Sequence, residues 1–178
     1  MPPVPIAATV TGLCVGSLPT VEKQPVERLD LDPFGVRGDR HAGELWTPTW
    51  GRHKGQTVFN ERQWSAVSDE EIAELEQRLG VALPLGALGE NFQFAGAARL
   101  SKVRLGTRIS FPSGAALWMS GENLPCRKVS LRLAQLNRQP GLNAAFLKAA
   151  KGRRGLVGWV EAPGPVHLGD RASFSFAG

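Results

Sequence analysis

The residue of this chain best suited to chemistry is Cys126, which lies in the polar segment 120–128. This segment follows an apolar run over residues 115–119 that has the length and bulk of a buried strand, so we expect the thiol just beyond a strand end. A proline fixes the backbone before the thiol, and Arg127 and Lys128 place two cations after it. Neighbouring cations favour the thiolate, which attacks electrophiles and binds soft metals. We therefore predict a reactive thiol; the alternative is a small buried hydrophobe in a loop.

Glycines and basic side chains are concentrated in a second segment, residues 35–43. Its three glycines allow tight turns and a close approach of the backbone to a ligand. Arg37, Arg40 and His41 offer donors suited to an oxyanion. The same composition is typical of an exposed turn, so the segment is ambiguous by itself. Two tryptophans in the loop that follows either wall a pocket for a flat heterocycle or anchor that loop to the core.

Short strands at close spacing must position these segments. Alternating polarity and frequent glycine turns over residues 83–119 predict a closed or nearly closed β-barrel, because such short strands need mutual pairing. The clearest helix begins after Ser68, an N-cap for which Glu71 completes a capping box, and it ends at a glycine. We expect the acidic residues of this helix to form a solvated face. A second helix is predicted over residues 142–151, whereas residues 129–136 fit a strand or a helix.

Length and composition predict a single globular domain over residues 1–178, with 42% hydrophobic and 21% charged residues. No apolar run approaches the ~20 residues of a membrane helix. The N-terminus lacks the features of a signal peptide, so we expect a cytoplasmic protein without a membrane partner. Its two cysteines, Cys14 and Cys126, are then expected as free thiols. Cys14 lies in an apolar strand-like segment and is expected to fill the core.

The formal net charge of +5 is distributed unevenly along the chain. Residues 1–90 carry 8 Lys and Arg against 13 Asp and Glu, a balance of −5, whereas residues 91–178 carry 13 against 3, a balance of +10. Charge alone makes nucleic acid a possible partner, but the cations are scattered and no nucleic-acid motif is present. A small anionic ligand with phosphate groups explains the balance equally well. A structural zinc site is disfavoured, because no close ligand pair such as Cys-x-x-Cys occurs.

Several short motifs, in their order along the chain, resemble the MOSC family, named for the C-terminal domain of molybdenum cofactor sulfurase. Each motif alone is a weak signal, but their order and spacing around one Pro-Cys are specific, and they cover about residues 5–176. The length resembles that of the small stand-alone bacterial members, without the pyridoxal-phosphate desulfurase domain of larger relatives. The motifs are Gly38-Asp39-Arg40-His41-Ala42-Gly43, Gly89-Glu90-Asn91-Phe92 with Gly96, Pro125-Cys126, Arg154-Gly155 and Gly169-Asp170.

The resemblance implies a mainly β fold, a mixed β-barrel of the pyruvate-kinase-barrel type with a few peripheral helices. It also implies a molybdenum cofactor (molybdopterin), which purified protein can lack, and a cysteine that ligates the metal or carries sulfur as a persulfide. Cys126 takes this role, and His41 is the expected proton donor because imidazole titrates near neutral pH. The loops expected to meet Cys126 contribute Gly38, Asp39, Arg40 and His41, and Gly89, Glu90 and Asn91. The residues expected at the pterin phosphate are Arg127, Lys128, Arg153 and Arg154.

These expectations predict an oxidoreductase that reduces N-hydroxylated bases or related small molecules, with Cys126 on molybdenum and an electron-donor protein as partner. The first alternative is a sulfur carrier that holds a persulfide on Cys126 for metal-sulfur cluster or cofactor sulfuration, with a cysteine desulfurase as partner. The second alternative is a non-enzymatic anion- or nucleic-acid-binding module. Residues 121–124 depart from the family pattern, which more often has a basic residue before the Pro-Cys.

Overall fold

The computed structural model describes residues 6–49 and 51–176. Seven strands in this part of the chain close into a mixed β-barrel, because the first strand pairs with the last. Neighbouring barrel strands are antiparallel except β7 and β8, which are parallel. The predicted barrel is thus confirmed. Around it the strands are, in order, β1 (Ile6–Val15), β8 (Phe92–Ala95), β7 (Trp64–Ser68), β11 (Leu156–Ala162), β10 (Ala116–Glu122), β9 (Thr107–Ser110) and β13 (Arg171–Phe176).

Shorter strands and three helices surround the barrel. One small sheet has three strands in the order β12-β3-β4, β5 pairs with β6, and β2 pairs with the end of β1. Within the described ranges, every helix falls short of the length and apolarity that crossing a membrane would take. The additional elements are β2 (Gln24–Pro25), β3 (Arg28–Asp32), β4 (Gly35–Val36), β5 (Leu45–Trp46), β6 (Val58–Phe59), β12 (Gly164–His167), α1 (Asp69–Leu79), α2 (Arg127–Leu136), α3 (Leu142–Ala149) and a 3₁₀ turn (Leu100–Lys102).

Two hydrophobic cores hold these elements together. The first fills the barrel, where Phe92 and Phe94 are fully buried and stack on Phe111. The second lies between the three helices and the barrel wall and includes Leu133 of α2 and Phe146 of α3. Burying an aromatic or aliphatic side chain stabilises the fold by about 1.5–3 kcal/mol, so both cores contribute substantially. Loops that lie between the two cores therefore pack against a hydrophobic core on each side.

Helix α1 confirms the predicted boundaries but corrects the prediction of a solvated acidic face. Ser68 Oγ accepts a hydrogen bond from the Glu71 N–H at 3.2 Å, and Gly80 ends the helix in the left-handed region at φ 67°. The carboxylate of Glu71 is buried instead of solvated, because it accepts bonds from the N–H and the hydroxyl of Ser101 at 2.9 and 2.8 Å. Burial raises the pKa of Glu71. Glu71 therefore links α1 to the 3₁₀ turn and does not complete the capping box.

The ambiguous segment 129–136 belongs to helix α2, which begins at Arg127 with Cys126 as its N-cap. The spacing of Val129 and Leu133, both buried, gives this helix one apolar face toward the second core. Cys126 therefore follows strand β10 as predicted and also begins a helix. A helix N-terminus presents unpaired N–H groups and a partial positive charge, which adds to the cations inferred from the sequence.

Gly155 allows the chain to enter strand β11 in close contact with strand β7. Its φ of +78° lies in the left-handed region, and a Cβ atom at this position would lie 1.7 Å from the carbonyl oxygen of Ala66. The Gly155 N–H donates to Ser101 Oγ at 2.7 Å, and its carbonyl accepts from the Asn123 N–H at 2.8 Å. These contacts fix the backbone at Gly155, and they therefore also fix the direction of the preceding residue, Arg154.

We predict that Gly155→Ala destabilises the protein by about 3 kcal/mol or more, because a left-handed φ and a backbone overlap are combined. Gly114→Ala is the matched control, since Gly114 has φ +89° and would place its Cβ atom in open space. The control should lose only the cost of the left-handed conformation, about 1 kcal/mol. Urea unfolding measures both values, and equal losses would contradict the assigned contact.

Candidate functional site

A cavity of about 150 Å³ lies between the barrel wall and helix α2, with the exposed Cys126 on its lining. Apolar walls come from Trp64 of β7, Val129 of α2 and Val157 of β11. No Asp or Glu is among the lining residues of the described chain, whereas four Arg or Lys side chains are. The cavity therefore has an excess of positive charge beside a thiol. Its polar side chains are Arg40, His41, Arg62, Ser65, Asn123, Cys126, Lys128 and Arg154.

The structure divides the twelve predicted site residues into two groups of six. The first group lines the cavity, so that the two glycine loops and the Pro-Cys segment do converge. The second group lies outside the lining. The lining group is Arg40, His41, Gly89, Cys126, Lys128 and Arg154, and the other group is Gly38, Asp39, Glu90, Asn91, Arg127 and Arg153.

Two guanidinium groups, those of Arg62 and Arg154, lie close enough to Cys126 to interact with its charge. Burial lowers the pKa of both Arg62 and Arg154, and the charge of Cys126 acts in the opposite direction on each of them. The Cys126 side chain makes no capping hydrogen bond to helix α2. The sulfur is therefore accessible, and the cations and the helix N-terminus next to it stabilise a negative charge at this point.

Arg154 is the most deeply buried cation of the cavity, with 4% of the residue exposed. Its Nη2 donates to the carbonyl oxygen of Leu88, but its buried Nε and Nη1 have no hydrogen-bond partner among the described residues. An unpaired buried donor costs about 1–3 kcal/mol, and more on a charged group. Glu90, which is also buried, compensates part of the charge and raises the pKa of the guanidinium against the effect of burial. These donors fit an anion in the cavity.

Arg62 and Asn123 are site residues that the sequence analysis missed. Arg62 Nη2 donates to Asn123 Oδ1 at 2.9 Å across 61 positions of the chain. Asn123 belongs to the segment that departs from the family pattern, and Arg62 brings a cation to it from the loop before β7. Arg62 belongs to no sequence motif. Its position at the cavity becomes evident only when strand β7 pairs with strand β11.

The buried carboxylate of Asp39 holds the first glycine loop against the barrel. It accepts hydrogen bonds from the N–H groups of Gly16 and His41 at 3.2 and 2.9 Å and from Asn91 Nδ2 at 2.8 Å. It also forms an ion pair with the buried Lys23 at 2.7 Å. Burial raises the pKa of Asp39, but the bonds from His41 and the charge of Lys23 outweigh that effect and lower it overall. Asp39 is therefore a positioning residue and stays ionised.

His41 contacts the same carboxylate, with 3.2 Å between its Nδ1 and Asp39 Oδ1. This hydrogen bond favours the imidazolium form, but burial and the charges of Lys23 and Arg40 outweigh it and lower the pKa of His41. Asp39 engages Nδ1, so Nε2 is the ring nitrogen that is available to a ligand. The role of His41 as a proton donor stays a prediction.

Buried hydrogen bonds of Glu90 and Asn91 hold the second glycine loop, which contains Gly89, in place. The Glu90 carboxylate accepts from the N–H groups of Gly86 and Leu88 at 2.6 and 3.1 Å. Asn91 Nδ2 donates to the Cys14 carbonyl at 3.1 Å in addition to Asp39. Both side chains are buried, so within this motif it is the neighbouring Gly89 that reaches the cavity.

The remaining predicted residues point elsewhere or lie on the surface. Arg153 Nε pairs with Glu74 of helix α1 at 2.7 Å, away from the cavity lined by its neighbour Arg154. Arg127 and Gly38 are exposed, and Gly38 forms a turn at φ +80°. Cys14 is fully buried, and burial raises the pKa of its thiol to about 12. Cys14 is thus confirmed as core filling.

A larger cavity of about 350 Å³ adjoins the site through Arg62, which lines both. Its walls are mainly apolar and include Trp46 and Phe59, with His53 at the rim loop. One of the two predicted loop tryptophans, Trp46, therefore lines a pocket, while Trp50 lies outside the described residues.

We predict that Asp39→Asn destabilises the protein by about 3–5 kcal/mol, because Lys23 would keep a buried charge without a partner. Adding Lys23→Met should recover part of this loss. The matched control is Asp30→Asn, which removes an exposed pair with Arg28 and should change stability by about 0–1 kcal/mol. Urea unfolding of the three variants and wild type tests this, and equal losses at positions 39 and 30 would contradict it.

The pH dependence of that difference has a definite sign. The folded-state pKa of Asp39 lies below its unfolded value of about 3.9. Its contribution to stability is therefore fully present above that value and is lost as the pH falls toward the folded-state pKa. The free-energy difference between wild type and Asp39→Asn should be constant between about pH 6 and pH 8 and should shrink in acid. A difference that grows below pH 4 would refute the ion-pair assignment.

Comparison with known proteins places this geometry in a family. Residues 38–173 match the model of the MOSC domain. YuaD of Bacillus subtilis (strain 168), named "Putative metal-sulfur cluster biosynthesis proteins YuaD", is 37% identical over 171 residues, which cover 93% of this chain and 88% of that protein.

Solved structures agree with this match. The crystal structure of B. subtilis YuaD superposes with a TM-score of 0.90 at 35% identity and covers 97% of this chain and 98% of that one. YiiM from Geobacillus stearothermophilus has the same fold, with a TM-score of 0.66 at 19% identity over 94% of this chain and 74% of that one. From the family match and the similarity to YuaD, the chain belongs to the MOSC domain family.

Proposed function

We propose that this protein is a sulfur carrier that holds a persulfide on Cys126. The observation that carries the proposal is an exposed thiol on a small cavity walled by the cations Arg62, Lys128 and Arg154, without a lining carboxylate in the described chain. A persulfide is more acidic than a thiol, so neighbouring positive charge stabilises its anion. A sulfur carrier must also be accessible to its partner, and the cavity provides both the charge and the access.

The chemistry of loading is a thiolate attack on a sulfane sulfur. The Cys126 thiolate forms a bond to the terminal sulfur of a donor persulfide, R–S–SH, and the donor S–S bond breaks. The electron pair of that bond leaves with the donor thiolate, so the products are Cys126–S–SH and R–S⁻, and no external oxidant or reductant is needed. Arg62 and Arg154 stabilise the anionic sulfur before and after the transfer.

The name of YuaD, which refers to metal-sulfur cluster biosynthesis, supports a role in sulfur handling for this similar chain. We expect a cysteine desulfurase as the donor protein and a cytoplasmic location, as the sequence analysis predicts. The exposed sulfur at the N-terminus of helix α2 suits a protein donor, because the approaching persulfide need not enter the core.

Exposure of the purified, reduced protein to a cysteine desulfurase and cysteine should add the mass of one sulfur atom. Cys126→Ser should abolish this addition, because the attacking atom is removed. Cys14→Ser is the matched control and should load like wild type, since the Cys14 thiol is buried and protonated. Intact mass spectrometry followed by peptide mapping measures both; sulfur on Cys14, or none in wild type, would refute the proposal.

A second candidate function is the molybdenum-cofactor-dependent reductase that the family resemblance implies. The donor set fits this cofactor in part, since one accessible thiolate suits molybdenum and the unpaired donors of Arg154 suit a phosphate. The cavity of about 150 Å³ at Cys126 is about half the lower end of the range of about 300–1,000 Å³ for pockets that enclose drug-sized ligands, so the cofactor would also have to occupy the adjoining cavity of about 350 Å³. A persulfide needs only the cavity at Cys126, and for this reason we place the sulfur carrier first.

Metal analysis separates the two candidates. Protein isolated from a host that makes the molybdenum cofactor should contain no stoichiometric molybdenum if Cys126 carries sulfur, because the thiol is then not a metal ligand. Stoichiometric molybdenum and pterin in wild type, lost in Cys126→Ala but retained in Cys14→Ala, would favour the reductase. Desulfurase loading of the same preparations provides the matched readout.

A further inference from the structure

The hydrogen-bond donors of Arg154 restrict the class of anion that can bind in the cavity more than positive charge alone does. Its Nε and Nη1 atoms are buried and have no hydrogen-bond partner among the described residues, while its Nη2 is engaged by the Leu88 carbonyl. A terminal persulfide sulfur offers one anionic acceptor, whereas the unused guanidinium donors lie on two different nitrogens. Oxyanions, which carry several acceptor oxygens, match such a donor set.

Size and charge narrow the class of anion. The cavity volume of about 150 Å³ equals about five water molecules at about 30 Å³ each, which suits an ion of about five heavy atoms. Arg62 and Lys128 also line it, and no carboxylate does within the described ranges. A small dianion therefore fits better than a carboxylate at the end of a long organic chain.

We infer that Cys126 also takes sulfur from a small free oxyanion that carries a sulfane sulfur, of which thiosulfate is the representative. This inference rests on the proposed sulfur-carrier function and adds a second class of donor beside the protein persulfide. The sulfonate oxygens of thiosulfate bind Arg154, and the outer sulfur faces Cys126 at the same cavity. Sulfate and phosphate share the oxyanion chemistry but have no transferable sulfur, so they act as competitors only.

The transfer balances without another reactant. The Cys126 thiolate attacks the outer sulfur of thiosulfate, a new S–S bond forms, and the S–S bond of thiosulfate breaks. Its electron pair leaves with the sulfonate group as sulfite, so that Cys126–S⁻ and S₂O₃²⁻ become Cys126–S–S⁻ and SO₃²⁻. Total charge and sulfur count are unchanged.

The cations have a direct role in this step, because a thiolate and a dianion repel each other. Opposite charges within a few ångströms offset that repulsion, and their effect is larger in a partly desolvated cavity than in water. Arg154 binds the oxyanion, and Arg62, which is oriented by Asn123, lines the same cavity. Without the oxyanion-binding donors of Arg154, thiosulfate should be strongly disfavoured, while a donor that has no oxyanion should be affected much less.

Single-turnover loading of the full chain tests the inference with two donors, thiosulfate and the small 2-hydroxyethyl persulfide, which has no oxyanion group. Wild type should gain one sulfur on Cys126 from each donor and should release one equivalent of sulfite from thiosulfate only. Arg154→Lys should load from thiosulfate at least about tenfold more slowly, the scale of one lost charge-assisted hydrogen bond, and from the persulfide, which has no oxyanion for Arg154 to bind, within about twofold of wild type. Arg153→Lys is the matched control, since Arg153 pairs with Glu74 outside the cavity, and it should load normally from both.

The outcomes are distinguishable. Loading by the persulfide without loading by thiosulfate overturns this inference and leaves the sulfur carrier standing, whereas failure of both donors removes both. Equal slowing with both donors in Arg154→Lys, or equal slowing in Arg153→Lys, overturns the role of Arg154. If Arg154→Lys does not fold, competition in wild type decides: sulfate should slow loading by thiosulfate more strongly than loading by the persulfide, and equal or absent competition refutes an oxyanion site.

Discussion

The buried ion pair between Asp39 and Lys23 joins the first glycine loop to the segment after β1, beside backbone hydrogen bonds such as that from the Arg40 N–H to the Gly16 carbonyl. Both side chains are fully buried at a separation of 2.7 Å. The Asp39 carboxylate also accepts from the first glycine loop, from the end of β1 and from the segment before β8. A buried charge is tolerated only when it is paired and hydrogen-bonded, so the three segments must meet here for the fold to be stable. The loop that carries Arg40 and His41 to the cavity is held as a result.

The candidate cavity differs in charge from this buried ion pair, because its lining has an excess of cations. Negative charge is placed beneath the surface, on Asp39 and Glu90, where backbone N–H groups and cations satisfy it. Positive charge is in excess at the cavity, where Arg154 Nε and Nη1 have no hydrogen-bond partner among the described residues and one Arg62 nitrogen donates to Asn123. Glu90 offsets part of the Arg154 charge, and no carboxylate of the described chain lines the cavity. This excess of positive charge favours a bound anion.

The family motifs divide accordingly between structure and chemistry. Asp39, Glu90 and Asn91 are buried and hold loops in place. The Gly169-Asp170 turn lies between β12 and β13, where the Gly169 N–H donates to the Val10 carbonyl at 2.8 Å and closes the barrel end. Cys126, Arg154 and Arg40 face the cavity. A motif can therefore mark a fold as well as a site, and the presence of a side chain on the cavity lining distinguishes the two roles.

The sequence by itself determined the features that depend on local spacing: the barrel strands, the Ser68 cap and Gly80 end of helix α1, and a thiol after a strand among cations. The family resemblance added which loops meet, and six of its twelve residues reach the cavity. Only the tertiary structure decided the burial of Glu71 against Ser101, the arrival of Arg62 from a distant segment, and the different roles of Arg153 and Arg154. The physical reason is that Arg153 and Arg154 lie in the irregular bend before β11, where no repeating pattern sets the direction of a side chain, and Arg153 reaches helix α1 while Arg154 lines the cavity. Which of two adjacent arginines faces the thiol depends on strand pairing across the barrel, and no local pattern records it.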